Sequence, residues 1–457
     1  MKITRTTMMS SSRRARTRSW GTRLLALWVT AAGTSFVIGC STSRLLDVSA
    51  PNSVPATVYS SPANATLMVN SAIGDFECAF GGFQLTEGIA TDEIQDATIS
   101  AANWQLDRRD DGFTSGSYGT SSCTAGEGLY TPLSTSRWEA DQAVTSLNGW
   151  TDAQVVNRQL LLAEANVYAG FSYATLGMGM CQAAFDLGPL VNQAGMFALA
   201  EKRFADGITA AQAAGNTNLL NAAYVGRARV RLFQHNTAGA ASDAALVPKG
   251  FVFNAVMNAV NSRQFNHIFN YISTSGSATV EPATRALTTE NGEIDPRSLT
   301  VKLTTKPSDQ VSVIYIASKF NAASLTAGEA IPQPIARYEE AQLILAEAQG
   351  GAAAVTIINA MRAAVSLKPY TGATDATSIT NLIIGERQRV LFFEGFRAFD
   401  VERFTQALTP AAGTAYRFGG VYGHTVCLPL PDIERVNNPN IDATQLISGV
   451  QGQFPVP

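Results

Sequence analysis

The chain has 457 residues, of which 46% are hydrophobic and only 15% are charged, against roughly 25% charged residues in an ordinary soluble domain. The formal net charge is −3, but the first 39 residues contain seven Lys or Arg and no acid, so the remainder carries −10. An acidic body lacks the basic surface that binds phosphate backbones. These values exclude a disordered chain, a basic nucleic-acid-binding protein and a multi-pass membrane protein.

The N-terminal segment has the parts of a secretory signal peptide. Basic residues between Arg13 and Arg23 precede a short apolar stretch, 24–36, and the small residue Gly39 is followed directly by Cys40. This arrangement resembles the bacterial lipobox, in which the cysteine receives a diacylglycerol and becomes the mature N-terminus. We predict a lipoprotein signal peptide over 1–39 and a lipidated Cys40 with more than one acyl chain, palmitate included, as stable anchoring requires. An ordinary cleaved signal with an incidental cysteine is the alternative.

The segment after the predicted lipidation site is rich in Ser, Pro, Asn and Ala and has little periodicity. Residues 40–62 are therefore predicted to be a flexible tether, and residues 63–457 a single folded domain. Ser41 stands where an Asp would favour retention in the inner membrane. The predicted location is the outer membrane, with the lipid-anchored protein facing the cell surface.

Four further cysteines, an even number, follow the predicted lipidation site. In an oxidising compartment they predict two disulfides, with three possible pairings that the sequence leaves open, and buried free thiols are the alternative. No Cys-x-x-Cys motif occurs, so neither a zinc knuckle nor a thioredoxin-type site is indicated. The four residues are Cys78, Cys123, Cys181 and Cys427.

Apolar residues at spacings of three and four predict an all-α body built from helix pairs. Phe204 and Ile208 match Ala240 and Ala244 at a spacing of 36 residues, close to the roughly 34-residue period of tetratricopeptide hairpins. Gly177 and Gly179 are predicted to end the first of these helices. The predicted helices are 155–176, 197–214, 219–233, 238–247, 337–349, 352–366 and 378–408.

Two loop-rich insertions, about 92–130 and 251–334, interrupt the helical pattern. Within the second, alternating apolar residues at 298–304 and a β-branched run at 311–317 predict a small β-hairpin. The segment Pro307-Ser308-Asp309 lies between the two runs and is typical of a turn.

Motifs for common enzyme chemistry are missing. The sequence has no Gly-x-Ser-x-Gly elbow, Walker loop, His-Glu-x-x-His or EF-hand loop, and its three histidines, His235, His267 and His424, are scattered. We therefore predict no catalytic residue, no metal site and no cofactor.

The segment 386–404 combines five phenylalanines with alternating charges, which predicts a buried helix whose charges are paired. The alternative makes Glu386 and Glu394 a glycosidase acid and nucleophile. Neighbouring arginines lower carboxylate pKa values, whereas a general acid needs a raised pKa, so structural ion pairs are favoured. The residues predicted to form them are Glu386, Arg387, Glu394, Arg397, Asp400 and Arg403.

These motifs resemble the SusD/RagB family of nutrient-uptake outer-membrane lipoproteins. The resemblance is strongest over 335–440 and includes Glu386-Arg387, Phe393-Glu394-Gly395-Phe396-Arg397, the helix 335–348 and the Pro-rich ending 428–440. It implies a tetratricopeptide-like scaffold of four helix pairs with a loop-rich ligand-binding lobe. It also implies docking on a SusC-like TonB-dependent transporter and binding of oligosaccharides or other oligomers without cleavage.

The resemblance includes no motif over 92–128, so the ligand contacts of the first insertion are predicted from composition. Aromatic stacking and uncharged hydrogen bonds hold neutral glycans, usually on loops of a rigid scaffold. Trp104, Arg108, Tyr118 and Tyr130 are the predicted contacts, with Trp104 first and a packing role as its alternative.

Together, these features predict a non-catalytic lipoprotein that captures a nutrient oligomer, an oligosaccharide in the first instance, and delivers it to the transporter. Two alternatives from other classes stay open. One is a surface glycoside hydrolase, and the other is a helical-repeat scaffold that binds protein partners.

Overall fold

The computed structural model of the protein describes residues 61–110, 116–119, 123, 128–436 and 438–450. The predicted signal peptide 1–39, the predicted lipidation site Cys40 and the tether up to residue 60 lie outside the described residues. Within the described part, no helix combines the length and apolar character needed to span a membrane.

Helices dominate the described residues. They are α1 (Ala65–Ile89), α2 (Ala101–Asp107), α3 (Gly116–Gly119), α4 (Tyr130–Gly149), α5 (Arg158–Gly179), α6 (Gln193–Ala214), α7 (Thr217–Phe233), α8 (Thr237–Ala244), α9 (His267–Phe269), α10 (Leu325–Glu329), α11 (Tyr338–Gln349), α12 (Gly351–Ala363), α13 (Ala376–Val390), α14 (Arg397–Arg403) and α15 (Asp432–Arg435).

The long helices pack as successive pairs. Helix α1 packs on α4, α5 on α6, α7 on α8 and α11 on α12, and the pairs contact one another through α4 with α5, α6 with α7, and α8 with α11. Local signals set the ends: Gly215 closes α6 in the left-handed conformation, and Asn216 and Asn236 cap α7 and α8 through their side-chain oxygens. The predicted all-α, tetratricopeptide-like scaffold is confirmed.

The first of the predicted helices, 155–176, was expected to stop before Gly177. In the structure this helix, α5, continues through Gly177 to Gly179. Both glycines lie where another helix approaches closely: a Cβ on Gly177 would meet the Phe197 ring at 2.6 Å, and one on Gly179 would meet the Phe83 ring at 2.6 Å. Gly177 therefore permits close packing inside the helix, and Gly179 permits it at the last residue of the helix, where the prediction also placed an end.

The strands within the described residues are β1 (Ile94–Asp96), β2 (Gln182–Ala184), β3 (Leu190–Asn192), β4 (Val252–Ala255), β5 (Ala278–Val280), β6 (Thr300–Lys302), β7 (Tyr315–Ala317) and β8 (Gln333–Arg337). They form four separate two-stranded antiparallel sheets, paired as β1–β5, β2–β3, β4–β8 and β6–β7. The predicted hairpin is confirmed in β6 and β7, where Thr300 opposes Ala317 and Lys302 opposes Tyr315.

The predicted helix 378–408 is two helices separated by a turn. Helix α13 ends at Val390 and α14 begins at Arg397, and between them Phe393 and Gly395 have φ values of 61° and 78°. The Gly395 backbone lies against the Phe83 ring, where a Cβ would approach to 2.6 Å. The predicted burial of the phenylalanines is correct, but the turn, not one continuous helix, buries Phe392 and Phe393 together.

The cysteines pair as Cys78 with Cys123 and Cys181 with Cys427. The first disulfide joins α1 to the segment before α4, and the second joins the residue before β2 to the C-terminal loop. Each closes a long loop, so both reduce the conformational freedom of the unfolded chain.

Candidate functional site

A stacked pair of aromatic rings is formed by one residue of helix α2 and one residue of a loop near the C-terminus. The half-buried Trp104 stacks on Phe418, with ring centroids 4.6 Å apart and an interplanar angle of 18°. The Trp104 indole nitrogen donates to the carbonyl oxygen of Thr98 at 3.0 Å, so the indole is held in one orientation. We call Trp104 and Phe418 the aromatic shelf.

Phe418 reaches α2 because it sits in a small loop, 413–423. A bridge between Ala415 and Val421 closes this loop, and Gly419 and Gly420 adopt the positive φ values that its tight turn needs. The loop is fixed to α2 by polar contacts. Arg108 donates from its guanidinium to the Gly419 carbonyl at 3.1 Å, and its own carbonyl accepts from the Gly423 amide at 2.8 Å.

Two arginines flank the shelf, and each is neutralised by an acid. Arg108 forms an ion pair with Asp110, which raises the pKa of Arg108, and its guanidinium lies over the Tyr416 ring. Arg417 lies over Phe418 at 4.6 Å and pairs with Asp309 at 3.0 Å. A surface of aromatic faces and balanced charges suits a neutral, hydroxyl-rich ligand better than an ionic one.

Polar loops next to the shelf supply uncharged hydrogen-bonding groups. The Asn103 side chain donates to the Tyr271 hydroxyl at 2.9 Å. Loop 307–312 joins loop 275–277 through the Ser308 amide, which donates to the Gly276 carbonyl at 2.9 Å, and the Ser312 hydroxyl accepts from Arg417. Four separate stretches of the chain therefore meet around the aromatic pair.

Of the four predicted ligand contacts, only Trp104 and Arg108 lie on this surface. Tyr118 is 1% exposed and donates to the Pro429 carbonyl at 2.8 Å, and Tyr130 is 2% exposed. A buried ring has no free face for stacking, so the prediction that these tyrosines contact ligand is wrong in this structure. Their role is to pack the core beneath the loops.

Four residues of this region were not predicted from the sequence: Arg417 and Phe418 on the surface, and Tyr416 and Tyr422, which are buried beneath it. The signal that could have found them is the same one that pointed to Trp104, because 416–422 also combines aromatic residues, an arginine and a Gly-Gly pair. The cation–π contact of Arg109 with the Tyr422 ring, at 4.8 Å, joins this stretch to the end of α2.

Asp107 supports the shelf from below. The Tyr416 hydroxyl donates to its carboxylate at 2.8 Å, and burial raises the pKa of Asp107 to about 8. The carboxyl is thus protonated when folded at neutral pH but titrates near 3.8 when exposed. The folded protein should therefore lose stability as the pH rises from about 4 towards 8, by up to about 1.4 kcal/mol per pH unit from this group.

Replacing Asp107 with asparagine tests this linkage. The introduced amide cannot ionise but can still accept from Tyr416, so the difference in unfolding free energy, Asp107→Asn minus wild type, should become more positive from pH 5 to pH 7. Urea unfolding at several pH values measures it. Asp206→Asn, at an exposed ion pair with Lys202, is the control and should show no such trend. Equal pH slopes for wild type and Asp107→Asn would contradict the assignment.

Glu386, an acid with a predicted structural role, lies at the centre of a buried cluster. Its carboxylate contacts Arg297 at 2.8 Å, Arg362 at 2.7 Å and Arg389 at 2.7 Å, and its side chain is fully buried. These arginines come from three different elements, so Glu386 joins α12, α13 and the turn before β6.

Glu394 is also surrounded by cations. Lys319 lies 2.6 Å from its carboxylate and Arg337 lies 2.9 Å away. Burial alone would raise the pKa of Glu394, but the charges of Arg337 and Lys319 outweigh it and hold the pKa below its ordinary value. The group is therefore an ionised, inaccessible carboxylate with no proton to donate.

The remaining charges of 386–403 find partners elsewhere in the fold. Arg397 pairs with Asp92 at 2.7 Å. Arg387 reaches Asp400 at 2.7 Å, and Asp400 also contacts Arg403 at 2.9 Å. The ladder of sequence neighbours is thus correct for Asp400 with Arg403, whereas Arg387, Glu394 and Arg397 use partners on other elements because the turn after α13 reorients them.

Among the described residues, no group of three or more His, Cys, Asp and Glu side chains is placed to hold a metal ion. The described acids with raised pKa values next to the shelf are buried beneath it rather than exposed on it.

Comparisons with known proteins point to one family. Residues 300–442 match the SusD family model, whereas no curated protein matches the chain. Among solved structures, a SusD-like carbohydrate binding protein from Bacteroides vulgatus has 16% identity and a TM-score of 0.59, over 83% of this chain and 97% of that one.

Two further structures have the same fold. A laminarin binding SusD-like protein has 14% identity and a TM-score of 0.57, over 83% of this chain and 98% of that one. B. fragilis NanU has 15% identity and a TM-score of 0.59, over 86% of this chain and 98% of that one. Residues 300–442 are thus similar to the SusD family, and the solved structures show that this chain has the SusD-like fold.

Proposed function

We propose that this protein binds a glycan at the cell surface on the aromatic shelf and passes it, uncleaved, to a SusC-like TonB-dependent transporter. The observation that carries the proposal is the stacked pair of Trp104 and Phe418, fixed by loops on a rigid helical scaffold and flanked by neutralised arginines. Sugar rings present apolar faces that stack on such aromatics.

The shape of the site favours an oligomer. The shelf is built on the surface of α2 and the loop 413–423, and polar groups continue beside it on the loops around 275 and 308. A shallow surface of this kind binds by distributed contacts, with modest affinity that allows release to a transporter. Relatives with this fold include proteins named as carbohydrate binding and laminarin binding.

Binding without hydrolysis is supported by the state of the acids. Glu386 and Glu394, the pair that a glycosidase would use, are buried and held by cations, whereas a general acid must be accessible and protonated. The surface glycoside hydrolase is the alternative that this arrangement opposes.

Glycan binding and cleavage can be tested on the same purified protein. It is examined by affinity electrophoresis against soluble polysaccharides, beginning with laminarin, and then incubated with oligosaccharides of the glycan that retards it. We expect retardation and intact oligosaccharides by mass spectrometry after prolonged incubation. Shorter products would favour the hydrolase, and no retardation by any glycan would favour a scaffold for protein partners.

The proposed location and partner are tested together. Lipidation at Cys40 predicts that the protein is found in the outer-membrane fraction and, after mild solubilisation, co-purifies with a large β-barrel. Cys40→Ser should move the protein out of the membrane fraction without changing its glycan binding in solution. An unaltered membrane fraction for Cys40→Ser, or recovery without a β-barrel partner, would contradict this part of the proposal.

A further inference from the structure

A cavity of about 220 Å³ lies in the helical scaffold. It is formed by the end of α7, the start of α8, the end of α11 and the helix α14 with the residue after it. It shares no residue with the aromatic shelf. Its lining residues are Leu232, Phe233, His235, Thr237, Glu347, Phe399, Glu402, Arg403 and Phe404.

The carboxylate of Glu402 is the unbalanced charge of this cavity. One of its oxygens accepts a hydrogen bond from the Gln193 side chain at 2.9 Å. No Lys or Arg of the described ranges lies within ion-pair distance of it. Burial, with no compensating cation, raises the pKa of Glu402 to about 7.

The other charges at the cavity are already paired. Arg403 is held by Glu347 and by Asp400, and Asp400 is also held by Arg387. Two arginines thus balance two acids. The negative charge of Glu402 is left over, so the cavity as a whole is complementary to one positive charge.

Aromatic rings supply the walls. Phe233 and Phe399 have centroids 4.5 Å apart, and the Arg403 guanidinium lies 3.9 Å from the Phe404 centroid and 5.4 Å from that of Phe233. The rings therefore already attract one cation of the chain itself. Aromatic faces together with a carboxylate are the combination that recognises organic ammonium ions.

We propose that this cavity binds a small organic ammonium ion, with its charge against Glu402 and its apolar groups against Phe233, Phe399 and Phe404. The volume corresponds to about seven water molecules at roughly 30 Å³ each. That is enough room for an ion of choline size. The ligand class differs from the neutral glycan of the shelf, so this site does not depend on the proposed function.

The test compares choline with its neutral isostere 3,3-dimethylbutan-1-ol by isothermal titration calorimetry at pH 8, where Glu402 is ionised. The wild-type protein should bind choline at least tenfold more tightly than the alcohol. Glu402→Gln keeps an acceptor for Gln193 but loses the charge, and should weaken choline binding at least tenfold. Glu329→Gln, at another acid that accepts from an amide side chain, should leave the affinity unchanged.

A second variant separates the cavity from general electrostatic attraction. Phe404→Leu keeps Glu402 and the charge balance but removes an aromatic wall, so choline affinity should fall several-fold while the affinity for the alcohol changes less. The thermal midpoint of each variant confirms that it is folded. Absence of saturable choline binding to the wild type, or equal choline affinity in wild type and Glu402→Gln, would overturn the proposal.

Discussion

Replacing Trp104 with alanine should weaken glycan binding at least tenfold, which corresponds to about 1.4 kcal/mol. The indole offers the larger of the two stacked surfaces, and its loss removes both the stacking face and the partner that holds Phe418 in place. Phe418→Ala should weaken binding in the same direction. Affinity electrophoresis or calorimetry with the retarding polysaccharide measures both effects.

The control for this experiment is a tryptophan on another element. Trp138 in α4 is 39% exposed, and Trp138→Ala should leave the affinity unchanged. Thermal unfolding of each variant distinguishes binding from packing. If Trp104→Ala lowers the melting temperature but retains full affinity, Trp104 is a packing residue and the shelf is not the binding site.

Of the variants proposed for this protein, Glu386→Gln should lower the free energy of unfolding most, by about 3–5 kcal/mol. Removing this charge takes away the counterion that Arg297, Arg362 and Arg389 share. Asp295 and Glu290 remain, so three cations face two acids in a largely buried site. Breaking one partner of a buried ionic cluster costs more than the cluster contributes as a whole, because the remaining charges stay desolvated. Urea unfolding followed by circular dichroism gives the free energy difference.

Asp206→Asn provides the comparison for Glu386→Gln, because Lys202 and Asp206 form an exposed pair on α6, and exposed pairs contribute little. It should be close to neutral. The same variant also tests the function of the residue. If Glu386→Gln stays folded and binds glycan as the wild type does, the role of Glu386 is structural. Wild-type stability in Glu386→Gln together with lost turnover of a substrate would instead support the hydrolase.

Helix positions could be predicted because their signals are local. The end of α6 at Gly215 and the start of α7 after Asn216 depend on one residue with positive φ and one side-chain cap, and both residues are adjacent to the helices they delimit. The predicted helices that were wrong depended on distant contacts. Gly177 lies inside α5 where the Phe197 ring of α6 packs against it, and Gly395 lies in the turn between α13 and α14 against the Phe83 ring.

The candidate site could be predicted only in part. Composition pointed to Trp104, but the same reasoning chose Tyr118 and Tyr130, which are buried. Burial of a tyrosine in such a segment depends on what covers it, and Tyr118 in the short helix α3 is covered by the segment around Pro429, 311 residues later. Composition contains no information on that contact.

The sequence by itself determined the helical scaffold, the presence of buried and paired charges in 386–403 and the resemblance to the SusD/RagB family, because periodicity, caps and motifs are properties of nearby residues. Only the tertiary structure decided which acid meets which arginine and which aromatic residues form a shelf. Arg397 and Asp92 are 305 residues apart in the chain, and Trp104 and Phe418 are similarly distant. These residues come into contact only when the whole scaffold has folded, so no local sequence pattern predicts the contact.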